Sequence, residues 1–125
     1  MNLGIAGQSI ERVSFDFALT LLTENGAELR VEVPFSLHRP DGLTVVINPE
    51  DPVEAMAVLP AVLHQMVTRS VADRETGSLL LEFSHGSRIE VPSSDSFEAW
   101  TFATQQGVQT VALPGGGLST WGAEL

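Results

Sequence analysis

Residues 19–33 read Leu19-Thr20-Leu21-Leu22-Thr23-Glu24-Asn25-Gly26-Ala27-Glu28-Leu29-Arg30-Val31-Glu32-Val33, and this stretch decides the fold. Its second part alternates between apolar and polar residues, as a strand with one buried face requires. The Asn25-Gly26 pair between the two apolar segments is the strongest short signal of a β-hairpin. Residues 10–17 alternate in the same way, so the first third of the chain predicts an antiparallel meander.

A helix is predicted after these strands, at about residues 51–66. Asp51 is a suitable N-cap, Pro52 suits the first helical position, and Glu54 completes a capping box. Pro60 opposes a regular helix, so we expect a kink near it or two short helices, the second starting at Pro60. The apolar stripe expected to pack on the sheet comprises Met56, Leu59, Leu63 and Met66, widened by Val53 and Val62.

The pattern of the first third returns after the helix. Asp73 follows Arg69 at the same spacing at which Asp16 follows Arg12. The matching segments are residues 8–12 with 65–69, residues 19–26 with 79–86, and residues 31–34 with 89–92. The alignment needs a short insertion near 75–78 and a two-residue deletion after Gly86. It predicts an internal duplication of residues 7–34 in residues 64–92, with chance similarity between two hairpins as the alternative.

The last third adds three predicted strands, at residues 97–103, 108–113 and 118–121. The whole pattern predicts an α+β fold with a mostly antiparallel sheet of about nine or ten short strands. We expect two related meander halves, barrel-like or in two layers, and one proline-interrupted helix. A length of 125 residues fits a single domain, residues 1–125.

Composition excludes several classes of function. Sixteen acidic residues and six arginines without any lysine give a formal net charge of −10, which disfavours nucleic acids and anionic membranes as partners. A basic protein partner suits that charge. The absence of cysteine excludes thiol chemistry, disulfides and iron–sulfur sites. No apolar run approaches the roughly 20 residues of a membrane span, and residues 1–12 lack the features of a signal peptide, so a cytoplasmic location is expected.

No local motif brings catalytic or metal-binding residues together. The three histidines, His38, His64 and His85, form no HxH, HxxxH or HExxH pair, and no GxSxG segment occurs. We therefore predict no catalytic residue, no cofactor and no metal ligand. Candidate interface or pocket residues are Asp16, His38, Arg69, Asp73, Trp100 and Trp121. A core position is favoured over an interface position for the two tryptophans.

Several segments together carry a resemblance to a known family, and the ending Leu113-Pro114-Gly115-Gly116-Gly117-Leu118-x-x-Trp121 is the most specific of them. The others are Gly7-Gln8-x-Ile10-x-Arg12-Val13, Val33-Pro34-Phe35, Asn48-Pro49-Glu50-Asp51-Pro52, Gly86-Ser87-Arg88 and Phe97-Glu98-Ala99-Trp100. The chain resembles a family of small actinobacterial proteins classed as a domain of unknown function. That resemblance implies an architecture and a source, and it implies no activity.

Two hypotheses for function follow. The lack of catalytic motifs favours a non-enzymatic protein-binding module with a basic protein partner, which also self-associates through a sheet edge. The alternative is a small-ligand-binding protein or an enzyme that uses a cleft between the two repeat halves. Convergence of His38, Asp16, Asp73 or Arg69 in one pocket would favour the alternative.

Overall fold

A computed structural model describes residues 1–122 of the chain. These residues form eleven strands and two short helices, one strand more than the upper expectation, and the predicted α+β class is confirmed. The strands are β1 (Ile10–Phe15), β2 (Leu19–Thr23), β3 (Glu28–Val31), β4 (Phe35–His38), β5 (Thr44–Ile47), β6 (Val67–Ala72), β7 (Leu79–Phe83), β8 (Arg88–Val91), β9 (Trp100–Ala103), β10 (Gln109–Ala112) and β11 (Leu118–Trp121). The helices are α1 (Pro52–Ala55) and α2 (Val58–Val62).

The strands form two antiparallel sheets, neither of which closes into a barrel. The first sheet has the order β1-β2-β3-β9-β10-β11, and the second has the order β5-β4-β8-β7-β6. Each meander of three strands is therefore extended by a hairpin from the other half of the chain. The β9–β10 hairpin adds to β3, and the β4–β5 hairpin adds to β8.

The two meanders share their irregularities as well as their strand order. Each has a register shift at the same place in its first strand, between Ile10 and Arg12 and between Val67 and Arg69. The two meanders also pair with each other at their starts. The Ile10 amide donates to the Gln65 carbonyl at 3.0 Å, and the Val67 amide donates to the Gln8 carbonyl at 2.8 Å. This reciprocal pair is the pattern of an approximate twofold axis, and the duplication of the sequence stays a prediction.

After Gly86, the strand pairing relates the two halves of the chain differently from the alignment that the sequence predicts. Leu19 faces Val31 in the first sheet and Leu79 faces Val91 in the second, so Val91 corresponds to Val31. The two-residue deletion was therefore wrong. A slip of two residues keeps every side chain on the same face, so the alternating pattern alone does not distinguish the two alignments. The β6–β7 loop, residues 73–78, is longer than the β1–β2 turn, residues 16–18.

Both sheets contribute their inner faces to one cluster of buried side chains. Equivalent positions of the two meanders lie in this cluster, among them Leu19 with Leu79 and Leu21 with Leu81. Trp100 is its largest fully buried member. The cluster explains the period-two pattern of the strands, because alternate residues point into it.

The helical segment departs from the predicted one in length and in phase. It ends at Val62 and breaks before Val58, so Pro60 falls in the first turn of α2, where a missing N–H removes no intrahelical bond. Asp51 caps α1 as predicted, but the Glu54 carboxylate accepts from the Asn48 amide at 3.0 Å and does not complete the box.

The stripe that faces the core lies one residue away from the predicted one. Its buried members are Ala55, Val58 and Val62. Of the predicted members only Val62 is buried: Met56 and Met66 are 58% and 44% exposed, Val53 is 78% exposed, and Leu59 and Leu63 are intermediate. Both stripes are apolar at helical spacing, so periodicity did not choose between them. The smaller side chains let the helix lie closer to the core.

Replacing Val62 by alanine should lower the free energy of unfolding by about 1 to 3 kcal/mol, because the buried methyl groups lose their packing and leave a small cavity. Met56→Ala is the matched control on the exposed side and should change it by less than about 0.5 kcal/mol. Urea denaturation of the three proteins measures both values. A larger effect at Met56 than at Val62 would contradict this assignment of the helix face.

Candidate functional site

A cleft of about 510 Å³ opens where the two halves of the chain meet. Its lining residues are Phe17, Arg30, Glu32, Glu50, Ser96, Phe97, Glu98 and Pro114. The first four precede the helices and the last four follow β8, so each half contributes to it. We call this feature the phenylalanine cleft, after the two exposed aromatic rings that it contains.

Phe17 is held in an unfavourable conformation at one side of the cleft. It lies in the tight turn between β1 and β2, which is closed by a bond of 3.1 Å from the Asp16 amide to the Ala18 carbonyl. Its φ is 72°, a region that bulky side chains rarely adopt, and its side chain is 82% exposed. Such a backbone strain costs about 1 to 3 kcal/mol, and burial of the ring does not offset it.

Phe97 is positioned by a turn before β9. The Ser94 hydroxyl accepts hydrogen bonds from the amides of Ser96 and Phe97, both at 3.2 Å. The Ser94 carbonyl accepts from the Gly115 amide at 2.8 Å, which ties this turn to the β10–β11 loop. The ring of Phe97 is 67% exposed, so hydrogen bonds of the turn, and not burial, set its place.

The charge in the cleft is mostly negative. Its one cation, Arg30, lies 3.3 Å from the Asp16 carboxylate and 4.0 Å from that of Glu32. Glu50 and Glu98 add two further carboxylates to the lining. Arg30 is thus already engaged, and the remaining carboxylates favour a cationic group bound between the rings.

The glycines of the C-terminal motif allow the β10–β11 loop to pack closely against the β6–β7 loop. A Cβ at Gly116 would approach the Glu75 carbonyl oxygen to 3.1 Å, and a Cβ at Gly77 would approach the Gly117 carbonyl oxygen to 2.9 Å. All three residues have positive φ. The Gly77 carbonyl also accepts from Trp100 Nε1 at 2.9 Å, so the loop on which the motif packs is hydrogen-bonded to the core.

The chain matches the model of a family of unknown function (DUF6188) over residues 1–122. It belongs to this family. The match includes both sides of the phenylalanine cleft and the glycine motif. Searches among curated proteins and among solved structures found no match. Membership in the DUF6188 family carries no activity with it, so the function must be argued from the geometry.

The structure separates the candidate residues that sequence analysis selected. Asp16 borders the phenylalanine cleft through Arg30 on the first sheet. Asp73 lies on the second sheet and lines another cavity, of about 400 Å³, which Glu90 also lines. Arg69 faces Glu82 across β6 and β7. The repeat-related Asp16 and Asp73 therefore belong to turns of different sheets and do not form a pair of carboxylates.

His38 takes part in a row of polar side chains across β5, β4 and β8. Its Nδ1 lies 2.8 Å from Thr44 Oγ1, and its Nε2 lies 2.7 Å from Glu90 Oε1. Arg88 Nη2 lies 3.3 Å from the same carboxylate oxygen. The order of hydroxyl, imidazole and carboxylate resembles a catalytic triad, but the three groups lie on one open sheet face. Thr44 is directly opposite His38, and Glu90 is its diagonal neighbour on β8. The row is what adjacent strands produce, and His38 is not among the residues that line the Asp73 cavity.

The two tryptophans have different environments. Trp100 is fully buried, as favoured, whereas Trp121 is 48% exposed on the edge strand β11, where it faces Gln109. Within residues 1–122 no group of three or more His, Asp or Glu side chains is arranged to hold a metal ion. Neither helix of the described part has the length and hydropathy of a membrane-spanning segment.

Sequence analysis missed the two residues that define the cleft. The alternating pattern of residues 10–17 predicts a strand at Phe17, and Phe97 is predicted to begin another strand. A usable signal existed for Phe97, because Ser94-Asp95-Ser96 before it and Glu98 after it form a polar, turn-forming context. The exposure of Phe17 depends on the tight turn, which the alternating pattern of 10–17 concealed.

Two substitutions of Phe17 should distinguish the effect of its backbone strain from the effect of its side-chain packing. Phe17→Gly is expected to be about 1 kcal/mol more stable than Phe17→Ala, because glycine adopts the positive φ without the Cβ clash. Both variants lose the same exposed ring, so alanine is the matched control. Equal denaturation midpoints for the two variants would show that the turn carries no strain.

Asp73 should make stability depend on pH. Hydrogen bonds from the backbone amides of Thr76 and Glu75, at 3.0 and 2.8 Å, lower the pKa of its carboxyl. A pKa that is lower in the folded state gives stability that is present above the unfolded pKa and lost as the pH falls through the folded pKa.

Asp73→Asn keeps an acceptor oxygen but no titrating group, so its melting temperature should lie below that of the wild type at neutral pH and approach it in acid. Thermal melts from neutral pH to about pH 2 test this. A gap that stays constant over this range would contradict the assigned role of the Asp73 carboxylate.

Proposed function

We propose that this protein is a non-enzymatic interaction module that docks a basic segment of another protein in the phenylalanine cleft. The observation that carries the proposal is the exposure of Phe17 and Phe97, 82% and 67%, which both line one acidic cleft. The proposal also places the protein in the cytoplasm, in agreement with its composition.

The energetics of the two rings support a docking role. Full burial of a phenylalanine side chain stabilises a protein by about 1.5 to 3 kcal/mol, and here neither ring provides that stabilisation to the fold. The positive φ of Phe17 also strains the backbone, which lowers the stability of the fold further. Exposed apolar side chains rimmed by polar groups typically mark binding sites, and aromatic anchors carry much of the binding energy.

The charge of the cleft selects the partner. Arg30 is paired with Asp16, while Glu50 and Glu98 line the cleft beside the rings. A lysine or arginine placed over a phenylalanine ring gains about 0.5 to 2 kcal/mol, and neighbouring carboxylates add to that attraction. The net charge of −10 would also speed the encounter with a basic partner. The fitting segment therefore carries a cation next to an apolar side chain.

A small cationic ligand is the second candidate, because the cleft volume of about 510 Å³ lies in the range of ligand pockets. None of its lining residues belongs to the second repeat, residues 64–92, so it differs from the cleft between repeat halves that the alternative hypothesis expected. Enzymatic use has less support: the eight lining residues include no histidine, and Ser96 is their one hydroxyl. His38, Asp73 and Arg69 lie outside this cleft.

Partner capture with matched variants tests the proposal. Tagged wild type, Phe97→Ala and Val53→Ala are each incubated with a cytoplasmic extract of an actinobacterium. The C-terminal motif suggests this source. Val53 is 78% exposed on α1 and controls for the loss of any exposed apolar side chain. We expect a basic partner whose affinity falls at least tenfold for Phe97→Ala and stays unchanged for Val53→Ala.

The kinetics of the purified partner give the second measurement. Its association rate should fall as salt rises, because long-range attraction is screened. An acidic partner, or a partner that both variants retain equally, would contradict docking in this cleft. If no protein is captured and polyamines raise the melting temperature of the wild type but not of Phe97→Ala, the small-ligand function replaces it.

A further inference from the structure

The glycine motif, residues 113–117, lies directly beside the phenylalanine cleft. Pro114 lines the cleft together with Phe97. The Gly115 amide donates to the Ser94 carbonyl at 2.8 Å, and the Ser94 hydroxyl accepts from the Phe97 amide at 3.2 Å. The motif therefore holds the turn that positions Phe97, and it also supplies part of the cleft wall.

The motif rests in turn on the β6–β7 loop, residues 73–78. A Cβ at Gly77 would lie 2.9 Å from the Gly117 carbonyl oxygen and 3.5 Å from the Cβ of Ser93. The loop thus contacts both segments that hold Phe97, the motif and the start of the turn before β9. Contacts as close as this one require a residue without a side chain.

The β6–β7 loop is itself firmly held. The Asp73 carboxylate accepts from the amides of Glu75 and Thr76, at 2.8 and 3.0 Å, and the Asp73 carbonyl accepts from the Gly77 amide at 2.9 Å. The Gly77 carbonyl accepts from Nε1 of the buried Trp100. The loop is therefore fixed from within and anchored to the core, as a support for neighbouring segments must be.

We propose that the β6–β7 loop, acting through Gly77 and the glycine motif, positions Phe97 for binding in the phenylalanine cleft. The inference rests on the proposed function, because it assigns positioning residues to the same site. None of residues 73–78 is among the residues that line the cleft. Gly77 therefore acts through the motif and through the turn before β9.

The exposure of Phe97 explains why such a support matters. Its ring is 67% exposed, so packing of the ring does not fix the turn. A binding residue that is already ordered loses less conformational entropy when the partner docks, which raises the affinity. Loosening the support should therefore weaken binding without removing any group that lines the cleft.

A fluorine label on Phe97 tests the coupling without a partner. The full chain with para-fluorophenylalanine at position 97 is compared with the same chain carrying Gly77→Ala. Gly42→Ala is the matched control: its Cβ also enters at a positive φ, 91° against 80° at Gly77, but meets no atom of residues 1–122 within 4 Å apart from its chain neighbours. Val62→Ala controls for a general loss of stability.

We expect Gly77→Ala to shift or broaden the fluorine resonance and to raise the exchange rate of the Gly115 amide at least tenfold. The two control variants should leave both signals as in the wild type. Gly116→Ala disturbs the same packing from the other side, since its Cβ would approach the Glu75 carbonyl oxygen to 3.1 Å, and it should act like Gly77→Ala. It also replaces that variant if Gly77→Ala does not fold.

Binding of a labelled peptide of alternating lysine and leucine gives the second measurement. Its affinity should fall at least threefold for Gly77→Ala and for Phe97→Ala, and it should stay unchanged for Gly42→Ala. Unchanged fluorine and exchange signals in both glycine variants, or wild-type affinity in them while Phe97→Ala loses it, would overturn the positioning role alone. Wild-type affinity in Phe97→Ala would overturn the proposed function and this inference with it.

Discussion

The reciprocal backbone pair between residues 8–10 and 65–67 is the contact on which the rest of this structure depends. It sets the two meanders side by side across an approximate twofold axis, with Ser9 bridged to Met66. Each half then sends its hairpin into the opposite sheet, so β4 pairs with β8 and β9 with β3. Because neither sheet is complete without the other half, one shared core replaces two small ones that would each be marginal.

The functional features lie where the two halves differ. In the first half the turn at 16–18 is short and forces Phe17 to a positive φ, whereas the longer 73–78 loop closes over Trp100 through Gly77. The same position of the repeat thus exposes an aromatic residue in one half and covers one in the other. β11 shields β10, whereas β5 has no such neighbour among residues 1–122. The cleft and the open sheet edge both result from these differences between the two halves of the chain.

Local signals were sufficient for much of the fold, and their limits have physical causes. The Asn25-Gly26 hairpin, the strand alternation and the Asp51 cap follow from short-range chemistry and were predictable. The face of the helix was not, because two apolar stripes compete and only the space above the core selects Ala55 and Val58. The candidate site was more difficult to predict from the sequence than the helix face. Phe17 continues an alternating strand pattern, and only the tight turn in the folded structure shows that its ring lies outside the core.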